Sequence, residues 1–214
     1  MGGQPSTPRQ DLEIVPANRA RWDDIAAIFG NRGVGRICWC QRYKLEPREA
    51  FASFPPEERA FRMRCQTDAG NADADQTSGL VGYLGGEPVA WCAVEPRPAY
   101  TGLVRVYRVP WEGRQEDRSD PSVWAITCIF VRAGFRKRGI SRAMAAAAVE
   151  FARDRGAHAL EAYPMTTSKA IPEELHVGTV ATFAQAGMRE IGRPSTRRAV
   201  MRIDFVPSEP HEKI

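Results

Sequence analysis

Val123 to Val131 (VWAITCIFV) is a near-continuous apolar run mixing β-branched and aromatic residues. Such a run predicts a buried strand. Ser141 to Arg155 follows, alanine-rich and strongly helical in composition. Met144, Ala148 and Phe151 share one face of that helix, with Arg142, Glu150, Arg153 and Asp154 off it. Upstream, Leu12–Val15 reads as a short strand and Arg19–Phe29 as a helix with Trp22, Ile25, Ala26 and Phe29 inward. Gly30, Gly33 and Gly35 then predict a loop leading to Trp39 and Tyr43. Pro47–Arg64 reads as a helix that Pro55-Pro56 interrupts or restarts, and the polar run Cys65–Ser78 as a loop. Gly79–Leu84 and Pro88–Val94, joined by Gly85-Gly86, predict a hairpin.

Tyr100–Val109 reads as a short helix or irregular segment, and Glu112–Pro121 as an exposed charged loop. Beyond the central helix, Ala159–Tyr163 predicts a strand parallel to 123–131, reached by a right-handed crossover. Pro164–Glu174 reads as a loop insertion, Val180–Ala186 as a helix stopped by Gly187, and Met188–Ile191 and Arg198–Phe205 as closing strands.

Charge decides little, since a net +4 over 214 residues suits an anionic cofactor and a nucleic acid equally. Five scattered cysteines predict reduced thiols rather than a disulfide frame, and Cys38-Trp39-Cys40 lacks a second ligand pair for zinc, so no metal is expected. With no apolar run of membrane-spanning length and no hydrophobic signal core, the expectation is a cytoplasmic protein with no membrane partner. Residues 1–11 read as a disordered leader and 207–214 as a polar tail.

The chemistry-bearing stretch is Arg136-Lys137-Arg138-Gly139-Ile140-Ser141, between the apolar strand and the alanine-rich helix. A strand feeding a glycine turn into a helix N-terminus makes an anion site, because the first N–H groups lack intrahelical partners and the dipole favours negative charge. Arg132, Arg136, Lys137, Arg138 and Arg142 crowd this turn without an acidic residue. The Walker ending and the three-glycine dinucleotide pattern are both missing.

Arg136-x-x-Gly139-x-Ser141, with Ile129–Phe135 before it, resembles the Arg/Gln-x-x-Gly-x-Gly/Ala signature of the GNAT superfamily of acyl-CoA N-acyltransferases. The ending VATFAQAGMREIG…RRAVMRIDF is similar to the close of that fold, and the resemblance spans roughly 12–206. It implies an α/β (α+β) fold: one GNAT-like domain with a mixed sheet of about six to seven strands and helices on both faces. The sheet would splay between the strands at 123–131 and 159–163. It also implies acetyl-CoA as cosubstrate. Backbone groups of Arg136, Lys137, Arg138, Gly139, Ile140 and Ser141 would hold its pyrophosphate. Ile129, Phe130 and Val131 would pair with the pantetheine, and Phe183 would stand where many relatives carry a tyrosine acid.

The acceptor implied is a small-molecule or peptide amine, with Trp39, Tyr43 and Trp91 lining its pocket. The apolar strand carries neither carboxylate nor histidine, so Glu95, Tyr163 and His176 are the candidates for proton transfer, with Glu161 beside them. A non-catalytic acyl-CoA-binding module is the alternative. Nucleic-acid binding is weaker, since no reading motif accompanies the arginines. A monomer or homodimer is expected.

Overall fold

The computed structural model describes residues 11–30, 33–105, 111–167 and 174–205. Seven strands form one sheet: β1 (Leu12–Pro16), β2 (Leu80–Leu84), β3 (Glu87–Pro96), β4 (Val123–Val131), β5 (Ala159–Ala162), β6 (Arg189–Ser195) and β7 (Arg198–Asp204). Their spatial order is β1-β2-β3-β4-β5-β7-β6. Every neighbouring pair is antiparallel except β4 with β5, which run parallel. The helices are α1 (Trp22–Phe29), α2 (Gly33–Cys38), α3 (Pro56–Thr67), α4 (Thr101–Arg105), α5 (Ile140–Asp154) and α6 (Val180–Ala184).

The crossover helix α5 buries Ile140, Met144, Ala145, Ala148, Val149, Phe151 and Ala152. These pack on Trp124, Ile126, Ile129 and Val131 of β4. Each large apolar side chain so buried contributes about 1.5–3 kcal/mol, which is why the alanine-rich helix is fixed in place. On the opposite face Ile25, Ile28 and Phe29 of α1 join Trp39, Trp91 and Cys128.

The inward set of β4 changes phase once. Ala93 pairs with Cys128 but Val94 pairs with Ile126, leaving Thr127 as the extra residue of a bulge. Close by, the sheet parts. β4 and β5 pair only from Val123↔Ala159 to Ile126↔Ala162, after which β4 runs on to Val131 paired with β3 alone. The chain leaving β5 turns away, with Met165 bridging Thr179 and Arg198.

Three expectations change. The glycine-rich stretch after α1 contains helix α2 rather than only a loop. A Cβ on Gly35 would stand 2.6 Å from the Phe29 carbonyl oxygen, so this glycine serves close packing rather than breaking the chain. The segment from Pro47 is not one helix: α3 begins at Pro56, with Pro55 extended before it, as a prolyl ring at the first helical position favours. Strand β6 also runs further than expected, to Ser195. The leader, the tail and the middle of the 164–174 insertion lie outside the described residues. No described helix is long and apolar enough to cross a membrane.

Candidate functional site

At the end of β4 the chain turns through Arg132 to Gly139 and enters α5. Lys137 has φ +62 and Gly139, the residue capping α5, has φ +82. Consecutive left-handed and right-handed residues turn successive N–H groups towards one side, forming an anion-binding concavity. No side chain caps α5, so its first amides stay available for a ligand. A cleft of about 280 Å³ opens there, lined by Val131, Phe135, Arg136, Lys137, Gly139, Ile140, Ser141, Arg142 and Thr182.

A Cβ on Gly139 would meet no atom within 4 Å, so the glycine answers to the backbone conformation and leaves the concavity clear. Arg136 donates through Nε to the Val131 carbonyl at 3.2 Å. Arg132 is drawn off to Glu87 at 2.8 Å. Arg138 lies outside the cleft lining, over the Phe135 ring.

Val131, at the end of the stretch of β4 that β5 leaves unpaired, lines this cleft. Arg132 N–H donates to the Val89 carbonyl on the β3 side. Strand alternation therefore turns the backbone groups of Phe130 towards β3, and those of Ile129 and Val131 towards the side that β5 has left. These edge groups can pair with an extended amide-bearing arm. Among the side chains, those of Ile129 and Val131 go into the α5 core, whereas Phe130 stacks on Phe29 at 5.5 Å. Phe183 is fully buried in the α5 core and Thr182 takes the cleft side of α6. A one-residue shift in helix phase separates the two, and sequence reasoning missed Thr182.

The proton-transfer candidates fall into different surroundings. Tyr163 immediately follows the last paired row of β5, is 3% exposed, and donates its hydroxyl to Glu161 Oε2 at 2.9 Å. Burial, reinforced by the Glu161 charge, pushes this phenol well above its ordinary pKa. Glu161 is itself fully buried and ion-paired with Arg97, Arg114 and Arg202. Glu116 joins through Arg97 and Arg114. Burial pulls the Arg114 guanidinium down, but the Glu161 and Glu116 carboxylates outweigh it and hold it above its ordinary value. The cluster fastens the end of β3, the 111–118 segment, β5 and β7 together.

Glu95 is buried and ion-paired with Lys44, whose ammonium also donates to Ser78 Oγ at 3.1 Å. His176 occupies the 3-10 turn Leu175–Val177, which packs against β4, and its ring centroid is 6.3 Å from that of Tyr43. Tyr43, Tyr163 and Val177 share one packed group over Ala125. Trp39 and Trp91 belong elsewhere, in the core beneath α1, where Trp39 stacks on Trp22 at 5.7 Å. Of the three aromatic residues expected to line an acceptor pocket, Tyr43 alone stands beside the parted strands.

All five cysteines are free thiols; burial raises Cys38 to about 11. Among the described residues no group of His, Cys, Asp and Glu is placed to hold a metal ion.

Residues 39–171 match a family model described as the acetyltransferase (GNAT) family. No curated protein matches the chain in sequence. Solved structures share the architecture. A GNAT-family acetyltransferase from Streptococcus pneumoniae superposes at TM-score 0.50 and 15% identity, over 92% of this chain and 100% of its own. A putative acetyltransferase from Salmonella typhimurium, solved with its cofactor acetyl-CoA, gives 0.50 at 13% identity, over 94% and 96%. The GNAT domain of an S. lividans protein gives 0.50 at 13%, over 91% and 89%. At these identities the likeness is one of fold.

Proposed function

The chain belongs to the GNAT acetyltransferase family, and from that premise we propose that it moves an acetyl group from acetyl-CoA to a primary amine of a small molecule or peptide, by direct attack in a ternary complex. The observation that carries this reading is that β4, unpaired with β5 after Ile126 and Ala162, runs on to Val131, which lines the cleft at Lys137–Ser141. The Salmonella typhimurium protein was solved with acetyl-CoA, which supports the same cosubstrate here.

Acetyl-CoA supplies a thioester whose acyl carbon accepts an amine. The backbone amides of Arg136 to Ser141 hold the diphosphate, with Lys137 and Arg142 neutralising it. The edge groups of Ile129 and Val131 orient the pantetheine arm, turning a bimolecular encounter into a positioned one. An attacking amine must reach the acyl group as the neutral base. Glu95 and Tyr163 are each committed to a buried partner, Lys44 and Glu161 respectively. His176 stands on the turn that packs against β4, and a neutral imidazole can accept the amine's proton, so it takes the role of base.

The test is release of free thiol from acetyl-CoA with a panel of primary amines, alongside direct binding. Amine-dependent release supports the reading. Binding with no release from any amine leaves an acyl-CoA-binding module, and absence of binding defeats both.

A further inference from the structure

Tyr100 follows the 3-10 turn Arg97–Ala99, and the structure leaves none of its side chain exposed to solvent. It packs with Ala125, Tyr163 and Val177, residues around the point where β4 and β5 separate. Its polar neighbours are Glu95 and Thr127, and Thr127 is the bulge residue just past the last paired row. The Lys44 ammonium lies 5.3 Å from the ring centroid. Yet the phenol oxygen completes no hydrogen bond of full geometry among the described residues. Thr127, which comes nearest, acts as a donor towards it and so leaves the phenol's own proton without an acceptor. A buried hydroxyl whose proton finds no acceptor is costly, and a phenylalanine would fill the same space without that cost. The oxygen therefore calls for a ligand that completes its bond.

We propose that the Tyr100 hydroxyl donates a hydrogen bond to the carbonyl oxygen of the acyl group held between the parted strands, which makes Tyr100 a catalytic residue. This rests on the acetyl-transfer reading of the same cleft. The phenol keeps its proton throughout: as the amine nitrogen bonds to the acyl carbon it stabilises the charge that develops on oxygen. The C–S bond then breaks, CoA leaves as the thiolate and the nitrogen's surplus proton passes to the base. Burial, with Glu95 adding to it, holds the phenol well above its ordinary pKa, so it is a donor at any neutral pH. Lys44, Glu95 and Thr127 are the charged and polar groups that face it.

Tyr100→Phe separates this role from packing. The variant should unfold at the same temperature as the parent or higher, bind acetyl-CoA with unchanged affinity, and lose about a hundredfold in kcat. A second readout needs no acceptor amine. The infrared stretch of carbonyl-labelled acetyl-CoA should sit at lower frequency on the parent than on Tyr100→Phe. Unchanged kcat with an unchanged carbonyl stretch overturns the proposal, as does a fall in kcat that merely follows a fall in melting temperature. Failure of acetyl-CoA to bind the parent overturns the acetyl-transfer reading as well, and the binding measurement identifies that case.

Discussion

Ile126 of β4 faces Ala162 of β5 in the last row these two parallel strands share. One residue later β4 bulges at Thr127, and β5 gives way to Tyr163 and a chain that leaves for β7. The opening, the bulge and the concavity before α5 thus lie along one strand. A ligand with a charged diphosphate at one end and an amide-bearing arm behind it matches that arrangement.

Gly139→Asp places a carboxylate at the concavity and a side chain on a left-handed residue. Because its Cβ meets no neighbour, the fold should persist at a cost of about 1–2 kcal/mol. Acetyl-CoA affinity should fall at least about a hundredfold from the unfavourable charge. Gly156→Ala, at the other end of α5 with φ +77 and equally open space, carries the same backbone strain and should leave affinity unchanged in calorimetry.

His176→Gln should lower kcat about a hundredfold while acetyl-CoA binding is retained. In the parent, kcat should climb with pH on the acid side of the profile, as a base that acts in its unprotonated form requires. That limb should flatten in the variant, and a pH–rate profile of the two proteins checks it.

Glu161→Gln leaves Arg97, fully buried, with one charged partner fewer, and also weakens the acceptor of the Tyr163 hydroxyl. Breaking one member of a buried ion cluster costs about 3–5 kcal/mol, measurable by urea unfolding. The same cluster sets an acid limit. Burial opposes the charge on Glu116, but Arg114 and Arg97 prevail and hold its pKa below the ordinary carboxylate range. The unfolded chain then binds more protons than the folded one as pH falls through that range. The contribution of Glu116 is therefore complete at neutral pH and is lost as pH falls through the ordinary carboxylate range towards the lowered value of the folded state. Urea midpoints from pH 7 to pH 3 should show the decline.

Phe183→Tyr would seat a hydroxyl inside the α5 core, where the Phe183 ring has no exposure. Turnover should not rise, and stability should fall by about 1–3 kcal/mol in the same unfolding assay. A gain in turnover would mean that the side chain reaches the cleft.

Local pattern carried most of the fold. The apolar run and the strand β4 share both ends, and the helix after it begins at Ile140, one residue ahead of the expected Ser141. Hairpin, crossover and closing strands followed from period, turn residues and resemblance. What escaped depends on distant partners. Glu161 reads as an ordinary strand carboxylate until Arg97, Arg114 and Arg202 are brought to it from three other parts of the chain. Glu95 is likewise defined by Lys44. Gly35 looked like a chain breaker because sequence cannot reveal that the Phe29 carbonyl presses against it. Thr182 and Phe183 differ by one step of a five-residue helix, too short for its phase to be read from pattern.

Calorimetric titration with acetyl-CoA, set beside titration with a short oligonucleotide, tests the central claim most directly. The cleft geometry predicts saturable one-to-one binding of acetyl-CoA, abolished by Gly139→Asp, and no comparable affinity for the oligonucleotide. Salt-sensitive oligonucleotide binding without any heat from acetyl-CoA would contradict it, and would make the Arg136–Arg142 turn a nucleic-acid contact.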